Sequence, residues 1–334
     1  MRRVGIVGAG LMAGWHAARW RRLPVDLRGF YAPTAAHAEQ QAREYGGRAF
    51  TSLDELLAEV EVVDVCTPTS DHLQPVLAAA AAGKDIVCEK PLARHVVDGQ
   101  AMIDACAAAG VRLFVAQVVR FYPDFVRAKQ VLDSGELGKV GVVRTVRGGN
   151  FPRPLSWYGD FKRSGGVILD LSIHDIDYLR WLCGEVTRVF ARGMTFAGVH
   201  GTDHVLLTLR FANGAIGHVE GSWAYPPDNF RTFLEIAGDE GLLQLDNLAS
   251  PLTLTMQHEP GGATGEVTIP GGLLAPEDDP YYRELKHFLD CLDRGDDFLV
   301  APEDGLESLR IALAAIESER TGQPVELAGW EESV

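Results

Sequence analysis

The stretch DIVCEKPLARH, residues 85–95, runs from apolar residues into an acid, a base and a proline. Charged side chains are costly in an apolar interior unless they are paired, so Glu89 and Lys90 mark either a solvated strand end or a working site. A lysine so placed can bond a substrate hydroxyl and stabilise negative charge on its oxygen, while Glu89 offers a counter-charge or holds part of a cofactor. A second pair, Asp170 and His174 in DLSIHDID, is four residues apart, so on a helix the two share a face and can line one pocket. Histidine titrates near neutrality and suits moving a hydroxyl proton, with Asp170 orienting it or binding a neighbouring hydroxyl. The plain alternative is a capped helix start with a satisfied histidine. A metal is not expected, because Asp-x-x-x-His lacks a clear third ligand.

A third signal stands near the start of the chain: VGIVGAGLMAG places Gly8 and Gly10 between a strand and a helix, with Leu11 and Met12 next and Ala13 where a third glycine commonly stands. Gly8 permits a tight turn, Gly10 lets backbone approach a pyrophosphate, and the helix N-terminus supplies free N–H donors, which predicts dinucleotide binding. The ribose-binding acid expected about twenty residues on is missing. Ala32 stands there, followed by Pro33 and Thr34. Losing the carboxylate removes repulsion against a 2′-phosphate, yet no arginine immediately follows, so NAD and NADP both remain open, with Thr34 or His37 as contacts.

The elements that must position these residues are legible from periodicity. From residue 3 to about 119, short β-rich runs (RVGIVGAG, VDLRGFYA, VVDVCTPT, KDIVCEKP, VRLFVAQV) alternate with alanine-rich helical stretches, which implies parallel βαβ units. After a helix in RFYPDFVRAKQVLDSGELG the texture changes to longer alternating runs, and ANGA is a hairpin signal. One helix interrupts in VILDLSIHDIDYLRWLCG, and two more are expected near 280–294 and 302–320. The expected fold is α/β: a doubly wound parallel sheet over 1–119, then an α+β domain over 120–334 with a large, mostly antiparallel open sheet. The segment EPGGATGEVTIPGGLLAPEDDP reads as a hairpin and a mobile loop.

A formal charge of −15 with no long basic block argues against nucleic acid, and no segment approaches the ~18 apolar residues of a membrane helix. The N-terminal glycines and the lack of a cleavage site argue against a signal peptide. Five scattered cysteines suit reduced thiols in a cytoplasm. Trp157 and Tyr158 are equally suited to an aromatic wall for a sugar ring and to packing, and Asp175 and Asp177 to surface or structural charges.

Together with the glycine loop, CTPTSDH, CEKPLA and SGGVILDLSIHDIDYLRWLCG resemble the Gfo/Idh/MocA oxidoreductases over nearly the whole chain. The resemblance implies a Rossmann domain with Thr67, Pro68 and His72 along the cofactor, Glu89 and Lys90 near nicotinamide and substrate, and a cis peptide at Lys90–Pro91. It makes Asp170 and His174 the catalytic acid and histidine, matches RFYPDF, with Arg120, to a segment entering the second domain, and places Tyr281 against substrate. Ala32, Ala13 and Ser172 depart from the family pattern, as does AQVV before Arg120. The expected activity is NAD(P)-dependent hydride transfer with a sugar, polyol or inositol in a homodimer or homotetramer. A redox glycosidase of the same fold and a noncatalytic dinucleotide sensor are the alternatives.

Overall fold

The computed structural model describes residues 1–152, 156–196, 201–226, 229–248, 250–257, 264–268 and 276–333. They form two compact units, Met1–Phe121 with Ala275–Leu309, and Tyr122–Leu274 with Arg310–Val334.

The first unit runs β1 (Arg2–Val7), α1 (Leu11–Trp20), β2 (Val25–Tyr31), α2 (Ala35–Tyr45), β3 (Arg48–Ala49), α3 (Leu53–Glu59), β4 (Val62–Val65), α4 (Leu73–Ala81), β5 (Asp85–Glu89), α5 (Val96–Ala109) and β6 (Leu113–Ala116). These six strands form one parallel sheet in the order β3-β2-β1-β4-β5-β6, the order of a doubly wound dinucleotide fold. The apolar runs are continuous because such a sheet is covered on both faces: every residue of β4 is buried. The order reverses between β1 and β4, so the carboxyl ends of β1, β4 and β5 are neighbours at the place where ligands collect.

The second unit begins with α6 (Pro123–Asp133), β7 (Val140–Gly148), α7 (Phe161–Ser164), α8 (Ile173–Cys183), β8 (Val186–Met194), β9 (His204–Phe211) and β10 (Ile216–Ser222). It continues with β11 (Arg231–Gly238), β12 (Gly241–Asp246), β13 (Ser250–Gln257) and β14 (Thr264–Thr268). The chain then adds α9 (Pro280–Arg294), α10 (Pro302–Thr321) and β15 (Val325–Glu326). The nine-stranded sheet, β14-β13-β12-β11-β7-β10-β9-β8-β15, is antiparallel except where β7 meets β10.

Its strands alternate: along β9, Val205, Leu207, Leu209 and Phe211 are buried while Leu206 is 54% exposed, and on β10 Ile216 faces out with it. ANGA does close a hairpin, with Gly214 at φ +91° and the Asn213 side chain accepting from the Ala215 amide at 2.9 Å. The second hairpin pairs β13 with β14, whereas the loop expected after it, over 269–275, lies outside the described residues.

A single boundary at 119/120 is not how the units divide, because α9 packs with the first. The cause is aromatic: Phe288 of α9 meets Trp20 of α1 edge-on at 6.4 Å, and Phe114, Phe288 and Phe298 lie within 5.3–5.9 Å of one another.

Candidate functional site

In the first unit, Gly8 turns with φ +118°, and a Cβ there would stand 2.5 Å from the Cys66 carbonyl oxygen, so the tight turn excludes any other residue. At Gly10, by contrast, a Cβ would meet no atom within 4 Å. Gly10 caps α1 with no side-chain cap and no acidic residue in the first turn, leaving helix N–H donors open to an anion. Open space above a bare helix N-terminus fits a dinucleotide pyrophosphate. Leu11 is exposed and Met12 half-buried beside it. Ala32 is buried at the end of β2, while Thr34 and His37 are exposed at the start of α2.

Thr67 and Pro68, both half-buried, follow β4. His72 is buried, with Nε2 2.9 Å from the Thr67 carbonyl and Nδ1 3.2 Å from the Leu92 carbonyl. Burial lowers its pKa, and a neutral ring has a single N–H to donate to one of these two carbonyls; held between the loops after β4 and β5, His72 does not present itself to a nucleotide. Lys90 is half-buried just past β5, and the Lys90–Pro91 peptide is cis. Arg120 is 2% exposed and donates to Asp304 and to the Leu299 carbonyl, each at 3.1 Å. That placement makes it a structural tie, not a free substrate clamp. Tyr281, at the start of α9, packs edge-on against Trp15 at 5.1 Å.

Behind Lys90 lies a charged cluster that sequence reasoning passed over. His16 of α1 and Asp64 of β4 are both fully buried, with Nδ1 2.9 Å from Oδ2. The same carboxylate accepts from Trp20 Nε1 at 2.6 Å and from the Cys66 thiol at 3.3 Å. On the other side of the ring, Nε2 is 2.9 Å from Glu89 Oε1 and 4.0 Å from Glu284 Oε1 of α9. Nε2 makes no directed hydrogen bond, so its contact with Glu89 is charge pairing rather than an aligned bond. Glu89 Oε2 accepts from the Lys90 amide at 3.0 Å.

Burial is the largest single influence and opposes the charged ring, but Asp64 and Cys66 together outweigh it and raise the His16 pKa well above the usual value. One signal could have revealed the cluster: Asp64 interrupts the wholly buried strand VVDV, and a buried carboxylate requires a partner.

Glu284 is fully buried with neither oxygen hydrogen-bonded. Burial, reinforced by Glu89, pushes its pKa well above the carboxylate range against the pull of His16. A carboxyl with a raised folded pKa loses stability as pH climbs above its unfolded value, since the folded chain keeps a proton the unfolded chain releases. Glu284→Gln removes that dependence. Thermal melts should show the variant gaining on wild type as pH rises above the ordinary carboxylate range; a difference between the two that does not change with pH would refute the raised Glu284 pKa.

In the second unit, Asp170 lies in a π-helical turn, Ile168–Ser172, that leads directly into α8, and His174 sits in the first turn of α8. Both are half-buried, whereas Ser172, Asp175 and Asp177 are buried on the packed side. Asp175 receives Arg147 of β7 through two bonds, 2.7 Å from Nε and 3.2 Å from Nη2. Burial raises the Asp175 pKa and Arg147 pulls it back. Asp175 is therefore the structural charge that anchors the start of α8. Trp157 and Tyr158, in the 3-10 turn Ser156–Gly159, stack on one another at 4.0 Å and are half-buried.

Among the described residues, His16, Asp64 and Cys66 bring ligand-type atoms within 4.8 Å of one another, but the Asp64 oxygens already serve Trp20, Cys66 and His16. No helix among the described residues is long and apolar enough to cross a membrane.

Comparison with known proteins agrees with this geometry. Residues 2–117 match the oxidoreductase family with an NAD-binding Rossmann fold, and residues 125–244 match the GFO/IDH/MocA C-terminal domain. The chain is 30% identical to myo-inositol 2-dehydrogenase of Thermotoga maritima, covering 97% of this chain and 98% of the relative. It is also 30% identical to the NAD⁺-dependent scyllo-inositol 2-dehydrogenase of Bacillus subtilis, covering 97% and 96%. Among solved structures, levoglucosan dehydrogenase in complex with NADH and L-sorbose superposes with a TM-score of 0.89 at 26% identity, covering 98% of each chain. With the fold, the glycine loop and both domain matches in agreement, the chain belongs to the GFO/IDH/MocA oxidoreductases and carries that family's NAD-binding Rossmann domain.

Proposed function

We propose that this oxidoreductase acts on a hydroxyl-bearing carbon of a sugar, polyol or inositol. One observation carries the reading: the glycine turn after β1 and Lys90 after β5 lie at the carboxyl ends of strands flanking β4, on one edge of one sheet. Gly8, Gly10, Leu11 and Met12 would hold the pyrophosphate, Ala32 and Thr34 the adenosine ribose, and Thr67 and Pro68 the stretch toward the nicotinamide, with His72 and Glu89 bracing them from behind. A bound nicotinamide supplies the hydride acceptor or donor. Lys90 binds the reacting hydroxyl and stabilises negative charge on its oxygen, His174 takes or returns the proton, and Asp170 orients His174 or binds an adjacent hydroxyl. Trp157 and Tyr281 would contact the ring.

The chain uses NAD(H) by family; Ala32 places no carboxylate against a 2′-phosphate, so NADP(H) is the finer alternative. The outward Leu206 and Ile216 support self-association as a dimer or tetramer. Five buried, unbridged cysteines support a reducing, cytoplasmic location. The test is nicotinamide reduction with NAD⁺ and NADP⁺ in parallel against inositols, aldoses and anhydro sugars. Turnover of at least one polyol is expected. Bound dinucleotide with no reduction by any of them would favour a redox glycosidase, identified by glycoside cleavage without net reduction.

A further inference from the structure

We propose that His16 is a positioning residue: it bridges Asp64 and Glu89, holds the Glu89 carboxylate against the Lys90 amide, and thereby fixes the backbone from which Lys90 acts. The inference deepens the reading above and rests on Lys90 as the group that meets substrate.

The argument begins with accessibility. His16 has no exposed surface, so its ring acts only through neighbours. Those neighbours form a line: Asp64 Oδ2 to His16 Nδ1 at 2.9 Å, His16 Nε2 to Glu89 Oε1 at 2.9 Å, and Glu89 Oε2 to the Lys90 N–H at 3.0 Å. Each member comes from a different piece of the first unit, α1, β4 and the end of β5, so the line ties the helix that follows the glycine turn to the strand end that carries Lys90.

An imidazole paired on both sides with carboxylates is stable as the cation. A neutral ring would leave two buried carboxylates facing each other across it with one N–H between them. The groups facing the ring are Asp64 and the Cys66 thiol at the end of β4, Glu89 from β5, and Glu284 and Tyr281 from α9. Burial pushes both the Cys66 thiol and the Glu284 carboxyl up, which disfavours negative charge on either. The close ion-pair contacts of the ring are then Asp64 on one side and Glu89 on the other, each at 2.9 Å. This accounts for a carboxylate at position 89 that is 5% exposed: it faces inward and carries the charge that orients the next residue. The arrangement also gives the clamp a direction in pH. It is intact below the raised His16 pKa and is lost as pH rises through it, when Glu89 loses its cation.

The test uses the full chain with NADH bound. His16→Gln, Glu89→Gln and the double variant are compared for kcat, KM and NADH affinity by fluorescence, and exchange of the Lys90 amide is followed by NMR. The expected result is a fall in kcat of roughly 10- to 100-fold in each single variant, the scale on which misplacement of a reacting group is felt. KM should stay within about threefold, as should NADH affinity in His16→Gln; Lys90 amide exchange should be faster, and the double variant no worse than the worse single. Multiplying losses, or unchanged kcat and Lys90 exchange, would overturn the proposal.

Should His16→Gln fail to fold, wild type still decides. Nitrogen-15 signals of the His16 ring should show both nitrogens protonated at about pH 8, and a ring titrating near its ordinary value would overturn the clamp. If no polyol is turned over, the substrate reading fails alone, because the ring signals and the Lys90 exchange do not depend on substrate.

Discussion

Replacing Lys90 by alanine is expected to lower kcat about a thousandfold or more while NADH affinity stays within a few-fold. The physical reason is a division of labour along one sheet edge. Nucleotide binding draws on the glycine turn and the bare N-terminus of α1, which Lys90 does not build. The hydroxyl proton and the developing charge on its oxygen need a donor at the reacting carbon, and loss of such a group typically costs 10² to 10⁴ in rate. Lys90→Arg should recover only a small part, because a planar fork cannot occupy the position of a compact ammonium. Steady-state kinetics with a fluorescence titration of NADH checks both halves, and Lys90→Ala retaining a tenth of wild-type turnover would remove Lys90 from the chemistry.

The largest loss of stability is expected from Arg147→Ala. Arg147 and Asp175 are 5% and 1% exposed in their side chains and joined by two bonds. Removing the guanidinium strands a buried carboxylate, which costs about 3–5 kcal/mol in comparable cases. The effect should reach activity as well, since Asp175 adjoins His174 and fixes the first turn of α8. The double variant Arg147→Met with Asp175→Leu should regain most of the stability, because neither charge then needs a partner. Urea unfolding midpoints measure this, and a single-variant cost below about 1 kcal/mol would show that α8 is anchored elsewhere.

The strands and helices that carry the chemistry were readable in advance because their signals are local. GAG after an apolar run, the ANGA turn and the helices expected near 280–294 and 302–320 each depend on a few adjacent residues, whereas the π-helical turn that carries Asp170 departs from the regular helix expected there. The short β3 was missed because two residues carry no periodicity. The His16 cluster, the Arg147–Asp175 pair and the burial of Arg120 were missed for a different reason. Their partners lie 48, 28 and 184 residues away, and no local pattern encodes such distances. Asp64 sits in an apolar, wholly buried strand and marks a charge that needs a partner, but not which residue supplies it. Assigning α9 to the first unit had the same obstacle, since its large aromatic residues read equally well as the core of either.

That last arrangement has a consequence for how the molecule comes into being. The first unit is completed by a segment, Ala275–Leu309, that leaves the ribosome only after eight of the nine strands of the second sheet, β7 to β14, have been made. Until then Trp20 and Phe114 lack Phe288 and Phe298 as neighbours, and His16 has met Asp64 and Glu89 but not Glu284. The nucleotide end of the protein, first in synthesis, is therefore among the last to close, and a chain broken off before α9 would expose an aromatic surface to other chains instead of a finished domain.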